Sequence, residues 1–313
     1  MTREGEQARE ATTASDRASS APGSSSSIFN LQSSIYLVAT PIGNLEDITL
    51  RALRVLREAR LIAAEDTRHT GRLLAHYGIA TPLVSYHEHN KLARLDRIFA
   101  ALAEGDVALV SDAGTPGLSD PGYELVRAAL ARGVRVVPVP GASALLAAVV
   151  ASGLVPGPFT FAGFPPRAAG ERRAAFARLA LSPVPTVLHE APYRLLATLE
   201  GLLAACGDRE VAVARELTKL HEEIRREPLS AAIAHFRQHP PRGEFVLVVA
   251  GAPAEAAGAD ADDPSGEGTL RRLLAAGLAP TAAAKEAARL TGRPRAELYA
   301  LAVALRGGNR RDS

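Results

Sequence analysis

Two short strings of this sequence concentrate groups that can hold charge and move protons. Glu65–Asp66–Thr67–Arg68–His69 sets two carboxylates, a hydroxyl, a guanidinium and an imidazole in one turn, directly after the apolar run Leu61–Ala64. In such a turn Arg68 can hold a phosphate, while Glu65 or Asp66 can orient a hydroxyl or take its proton. That makes Glu65, Asp66 and Arg68 candidate catalytic groups, with Thr67 a substrate contact beside them. The same residues also suit the start of a helix, with Asp66 or Thr67 as cap and the charges as a local ion pair. The second string, Tyr86–His87–Glu88–His89–Asn90, closes the run Leu83–Tyr86. His87 and His89 would share a face if a strand continued there, but no third ligand stands at a suitable spacing, so no metal is expected.

Three further strings have the form of strand, turn and helix. Ile35–Ala39 runs into Thr40–Pro41–Ile42–Gly43–Asn44, and Val107–Ser111 runs into Asp112–Ala113–Gly114–Thr115–Pro116. Val134–Val139 runs into Pro140–Gly141–Ala142–Ser143–Ala144. These turns are too rich in Pro and Gly to continue a strand or open a helix at once. Open α/β sheets bind ligands at the carboxyl edge of their strands, and three such turns on one edge make a pocket. The chain has neither a GxGxxG pattern nor a P-loop with its lysine, which argues against a pyrophosphate cradle. Ser143 fits a helix N-cap as well as a ligand contact.

The elements that must hold these turns alternate along the chain in the manner of a mostly parallel sheet. Strands are expected at Ile35–Ala39, Leu61–Ala64, Leu83–Tyr86, Val107–Ser111 and Val134–Val139. Helices are expected over Asp47–Glu58, Thr70–Tyr77, Lys91–Ala103 and Tyr123–Ala131, with another after Gly141. A second set of strands is expected at Phe159–Gly163, Thr186–His189, Val211–Arg215 and Phe245–Ala250. The acidic, Gly- and Pro-containing stretch 252–268 has the composition of a linker, and 269–313 carries two or three short helices with a helix–turn–helix look around Gly292. The expected organisation is therefore a disordered tail over 1–32, α/β domains over 33–141 and 142–251, the linker, and a C-terminal helical segment.

Composition narrows the class without naming a function. Hydrophobic residues make up 47% and charged residues 22%, enough apolar material for sizeable cores. The Ser-rich start has no hydrophobic stretch, so a secretory signal is not expected, and a soluble, cytoplasmic protein is. Cys206 is the sole cysteine, which excludes an intramolecular disulfide and a Cys-based metal cluster. Of 36 basic residues only Lys91, Lys219 and Lys285 are lysines, against a net charge of +2. Arginine is thus a habit of composition, and the stripe Arg51, Arg54, Arg57 and Arg60 fits a solvated helix face better than a phosphate-binding one.

Taken together, YLVATPIGNLEDITLRAL, AEDTRHTGRLL, SYHEHN, VSDAGTPGLSDPG, VPGASA, EAPYR and ELTKLHEE resemble the ribosomal small-subunit methyltransferase I family, over about Ile35–Gly251 and in the family's order. The resemblance implies a two-domain α/β, tetrapyrrole-methylase-like fold with a cofactor cleft between the domains. It also implies S-adenosylmethionine as donor, 2′-O-methylation of a cytidine in small-subunit ribosomal RNA, and a homodimer. By the same resemblance Pro41, Ile42 and Gly43 line the donor site. Asp112, Ala113, Gly114 and Thr115 approach its amino-acid or ribose portion, Ser143 and Ala144 contact it, and Glu190 and Ala191 wall it from the second domain. On the acceptor side Tyr86, His87 and Glu88 would stack on or hydrogen-bond a base. Lys219 and His221 can face RNA or lie in a solvated turn. His189, Tyr193 and the double proline in Phe164–Pro165–Pro166–Arg167 depart from the family's commoner residues, which bears on the acceptor side. Another acceptor on the same fold, a tetrapyrrole or a protein, and a non-catalytic ribosome-assembly role are the alternatives.

Overall fold

The computed structural model describes residues 33–87, 91–118, 122–253 and 266–308. The tail expected over 1–32 and most of the expected linker lie outside the described residues, as do Glu88, His89 and Asn90.

The first half is a five-stranded parallel sheet of β1 (Ser34–Val38), β2 (Leu61–Ala64), β3 (Leu83–Ser85), β4 (Val107–Val110) and β5 (Arg135–Val139), in the order β3-β2-β4-β1-β5. β2 and β4 are buried along their whole length, as uninterrupted apolar runs covered on both faces must be. Helices α1 (Leu50–Glu58), α2 (Thr67–His76), α3 (Lys91–Leu102) and α4 (Tyr123–Leu130) connect them. α1 starts later than its apolar pattern suggests. Asn44 caps a short 3-10 turn at Leu45–Asp47, and the Thr49 hydroxyl then accepts from the Ala52 N–H. α2 starts earlier, at Thr67, because the Asp66 carboxylate accepts from the Arg68 N–H and closes the helix end there.

The second half begins with α5 (Ala144–Ser152), which packs on a mixed sheet of β6 (Thr160–Phe161), β7 (Thr186–Glu190), β8 (Glu210–Arg215), β9 (Glu223–Pro228) and β10 (Phe245–Val249). Its order is β6-β7-β10-β8-β9, with only β6 and β7 parallel. The sequence patterning does not reveal β9. Glu223–Pro228 (EIRREP) is a charged edge strand with one bulky apolar residue, a composition that protects an edge from further pairing. Helices α6 (Ala169–Leu181), α7 (Pro192–Cys206) and α8 (Leu229–Gln238) cover the other face.

Three helices follow: α9 (Glu267–Ala275), α10 (Pro280–Thr291) and α11 (Arg295–Gly308). Leu270, Leu273, Ala283, Ala287 and Leu298 form their own small core, closed by Ala177 of α6. An Arg178–Glu286 ion pair of 3.2 Å ties the module to α6. Among the described residues no helix is long and apolar enough to cross a membrane.

Candidate functional site

Strand order decides which turns meet. Because β1 lies between β4 and β5, and β2 beside β4, the segments after β3, β2, β4, β1 and β5 stand in a row along one edge. The segments after β1 and β4 are tied directly: Thr40 N–H donates to the Gly114 carbonyl at 2.9 Å, and Gly114 N–H to the Thr40 carbonyl at 3.0 Å. Gly114 has φ 75°, a conformation that favours glycine, so the turn can fold back onto β1 without strain. The Thr40 hydroxyl also donates to the Ser111 carbonyl.

Against this edge stands the second sheet, and between them lies a cavity of about 420 Å³. Its first wall is Ile42, Glu65 and Asp112–Thr115, its end is Ser143–Leu145, and its second wall includes Glu190–Pro192, Leu217 and Glu244–Val246. Of the residues expected at a donor site, Ile42, Asp112, Ala113, Gly114, Thr115, Ser143, Ala144, Glu190 and Ala191 line it, and Pro41 and Gly43 do not. Pro41 is buried behind the turn. A Cβ on Gly43 would collide with Lys219 Cγ and stand 3.0 Å from the Thr218 hydroxyl, so this glycine lets the turn approach the 216–219 loop. Ser143 is the helix N-cap, its hydroxyl accepting from the Leu146 N–H at the start of α5, and the residue also lines the cavity.

The Glu65–Arg68 turn divides. Glu65 faces the cavity, and its carboxylate accepts from the Asp112 N–H, while the Asp112 carboxylate accepts from the Asp66 N–H at 2.9 Å. Burial, and then the nearby Asp112 charge, raise the Glu65 pKa above the ordinary carboxylate value; His87 acts in the opposite direction. Asp66 instead turns outward to Arg68, whose hydrogen bonds bring the Asp66 pKa down to about 2. Asp66, Thr67 and Arg68 do not line the cavity, and Arg68 is 87% exposed. Asp66 and Arg68 thus form the helix start, and Glu65 is the member of the turn that lines the cavity.

Tyr86 is corrected. Its side chain is fully buried in the first core rather than set at a mouth, because alternation from Val84 turns both residues to the same buried face. Lys219 is held by Glu216 at 2.9 Å and Glu244 at 3.1 Å. Burial works against its charge, but these hydrogen bonds and ion pairs outweigh it and raise its pKa. It tethers a loop in which Glu216 (φ 49°) and Thr218 (φ 65°) adopt the left-handed conformation, and in which the Thr218 hydroxyl accepts from the Asn44 N–H. Strained backbone of this kind persists only where its surroundings over-determine it. On α1, Arg54 pairs with Glu58 and Arg57 donates to the Tyr77 carbonyl, while Arg60 just beyond it pairs with Glu104, so these three arginines serve local contacts.

One lining residue, Glu244, escaped the sequence reading altogether. Glu244 stands before β10, and only the antiparallel direction of that strand brings its amino end to the cavity. Phe164 and His189 also line it. The His189 ring lies between Phe161 and Phe164, its Nε2 buried without a hydrogen-bond partner among the described residues, and burial lowers its pKa.

Residues 34–233 match the family described as Tetrapyrrole (Corrin/Porphyrin) Methylases, and residues 260–306 match the RsmI C-terminal HTH domain. The ribosomal RNA small subunit methyltransferase I of Synechocystis sp. is 48% identical, over 87% of this chain and 98% of its own. This chain belongs to that family. The protein of the same name from Halalkalibacterium halodurans is 51% identical over 69% of this chain and 75% of its own. Solved structures with the same fold include a uroporphyrin-III C-methyltransferase from Thermus thermophilus complexed with S-adenyl homocysteine, at 23% identity and TM-score 0.52, covering 69% of this chain and 96% of that one. A cobalt precorrin-4 methyltransferase, at 17% identity and TM-score 0.54, covers 69% and 94%.

Proposed function

We propose that this protein transfers a methyl group from S-adenosylmethionine to small-subunit ribosomal RNA, at the ribose 2′-hydroxyl of a cytidine. The observation that carries the donor assignment is the charge of the cavity. Glu65 and Asp112 line it with no lysine or arginine paired to them among the described residues, while Glu190 and Glu244 in the same lining are balanced by Arg194 and Lys219 outside it. No lysine or arginine is among the lining residues. Such a lining suits a cationic sulfonium and opposes a polyphosphate. Apolar Ile42, Leu217 and Val246 complete the walls. The acceptor follows from the relatives, which are named as ribosomal RNA methyltransferases, and from the helix–turn–helix match at the C-terminal end.

S-adenosylmethionine, when bound, supplies an electrophilic methyl carbon whose bond to sulfur breaks as the acceptor oxygen bonds to it. The chain's own groups must align the two partners and accept the hydroxyl proton. Glu65 is the group placed to take that proton, because its raised pKa brings a carboxylate toward the range useful for general bases. Asp112 holds the turn that carries Glu65 through the Asp66 N–H, and presents its carboxylate to the same cavity. A cytoplasmic location is proposed on the single cysteine, Cys206, and a homodimer on the family resemblance; light scattering that reports a monomer would remove the dimer.

Incubation with labelled donor and isolated small ribosomal subunits, followed by mapping of the modified nucleotide, tests the reading. Label on a cytidine ribose is the expected result, and label on a base would overturn it. Asp112→Ala should weaken donor binding measured by calorimetry; unchanged affinity would remove Asp112 from the donor site.

A further inference from the structure

The rim of the cavity carries aromatic surface that the chemistry above does not use. The chain has eight Phe, six Tyr and no Trp, yet Phe164 is 53% exposed and Tyr193 79% exposed. Phe164 and Pro192 line the cavity, and Tyr193 follows Pro192 in the first turn of α7, beside Arg194, which donates to the Pro165 carbonyl next to Phe164. The loop that bears Phe164 is built, not loose. Arg194 donates to the carbonyls of Pro165 at 2.6 Å and Pro166 at 3.3 Å, while also pairing with buried Glu190. Arg172 holds the next carbonyl, that of Arg167, at 3.0 Å. The Phe164 ring meets the His189 ring edge-on at 5.5 Å, which sets its orientation. Arg167, at the end of this loop, is exposed and has no carboxylate partner among the described residues. Two arginines thus hold the loop by its backbone, while its ring and a third guanidinium face solvent.

Resting on the RNA reading above, we propose that Phe164 and Tyr193 form a stacking platform for unpaired bases at the acceptor nucleotide, with Arg167 on the adjoining phosphate. A ribose hydroxyl can enter a cavity of this size only if its nucleotide leaves the helical stack, and unstacked bases are bound through aromatic faces and guanidinium planes. A rigid ring loses little conformational freedom when a base covers it, which makes a tethered loop a better platform than a mobile one. The rim also explains how an enzyme of small net charge can hold RNA locally: stacking does not depend on overall charge.

The test uses the full chain with isolated small ribosomal subunits and S-adenosylmethionine. Phe164→Ala should raise KM for the subunits by about tenfold, the scale of losing one base–aromatic stack, and, because Phe164 also lines the donor cavity, lower donor affinity by calorimetry as well, though far less. Phe164→Trp, which keeps a π face, should restore most of that loss; a merely structural role would not be rescued by a larger ring. Tyr193→Ala, at a solvent-exposed position, should also raise KM, and Arg167→Ala should raise it while flattening its salt dependence. An unchanged KM in both aromatic variants would overturn the proposal. So would a fall in donor affinity equal to the rise in KM, because the rim would then serve the donor's adenine. Absence of methylation by the wild-type chain would instead overturn the function itself.

Discussion

Glu65 and Glu190 face each other across one cavity, yet they are held in opposite ways. Glu190 is the more buried, with its side chain wholly inaccessible, and it is fully partnered: Arg194 pairs with it, the Thr198 hydroxyl donates to it, and so does the Ala191 N–H. Glu65 is only partly buried and has one backbone donor, Asp112 N–H, at 3.4 Å, next to a second carboxylate. Burial with complete compensation makes a structural anchor. Partial burial with incomplete compensation makes a carboxylate whose charge is held at a disadvantage, which is what a proton acceptor needs. The second wall holds an anchor, and the first holds the carboxylate proposed as the proton acceptor.

Removing the anchor should have the largest effect on the fold. Glu190→Ala leaves Arg194 buried without its counter-charge, and breaking such a pair costs about 3–5 kcal/mol of stability, measurable by chemical denaturation. A loss of under about 1 kcal/mol would mean the pair behaves as a surface ion pair and would erase the contrast.

Glu65→Gln should do the reverse. Turnover should fall on the order of a hundredfold or more, as loss of a general base does, while donor affinity, which loses only one of the lining carboxylates, falls far less. Because folding raises the Glu65 pKa, its contribution to stability is fully present below the unfolded carboxylate value of 4.5 and is lost as pH rises through the folded value. Gln cannot ionise, so the variant should be more stable than wild type at neutral pH, with the difference vanishing in acid. In wild type the activity should decline, as pH falls, at a higher pH than an ordinary carboxylate would give. A variant that lost activity and stability together would make Glu65 a second anchor.

Smaller effects are expected one residue further on. The folded pKa of Asp66 lies at about 2 against 3.8, so its pairing stabilises the protein above pH 3.8, and that gain is lost as pH falls through about 2. Asp66→Asn should lower the thermal midpoint at neutral pH, and the gap from wild type should close over that acid window. Arg68→Ala should leave donor affinity unchanged and reduce turnover less than Glu65→Gln. A larger loss of turnover than Glu65→Gln would return Arg68 to the reacting centre, despite its exposure.

Much of this arrangement was legible one strand at a time. The turns after β1, β4 and β5 announced themselves because Pro and Gly must interrupt apolar runs where the backbone reverses. Nine residues chosen from such local signals and the family resemblance line the cavity. What stayed hidden depended on direction and partner. Glu244 precedes its strand, so only antiparallel pairing brings it to the site. β9 carries no apolar alternation because one of its edges is unpaired. Tyr86 looked like a mouth residue because its polar neighbours follow it, although its own position is the inward step of a strand.

The sequence by itself determined the alternation of strands and helices, the ligand-binding edge and the family, because these follow from periodicity, turn chemistry and motif order along the chain. Only the tertiary structure decided which charged group of the Glu65–Arg68 turn faces the cavity. A helix cap set by Asp66 turns two of those charges outward, and strand order sets Glu65 against Asp112. The roles of neighbouring carboxylates are fixed by which cations and N–H groups reach them through space, and spacing along the chain does not encode that distance.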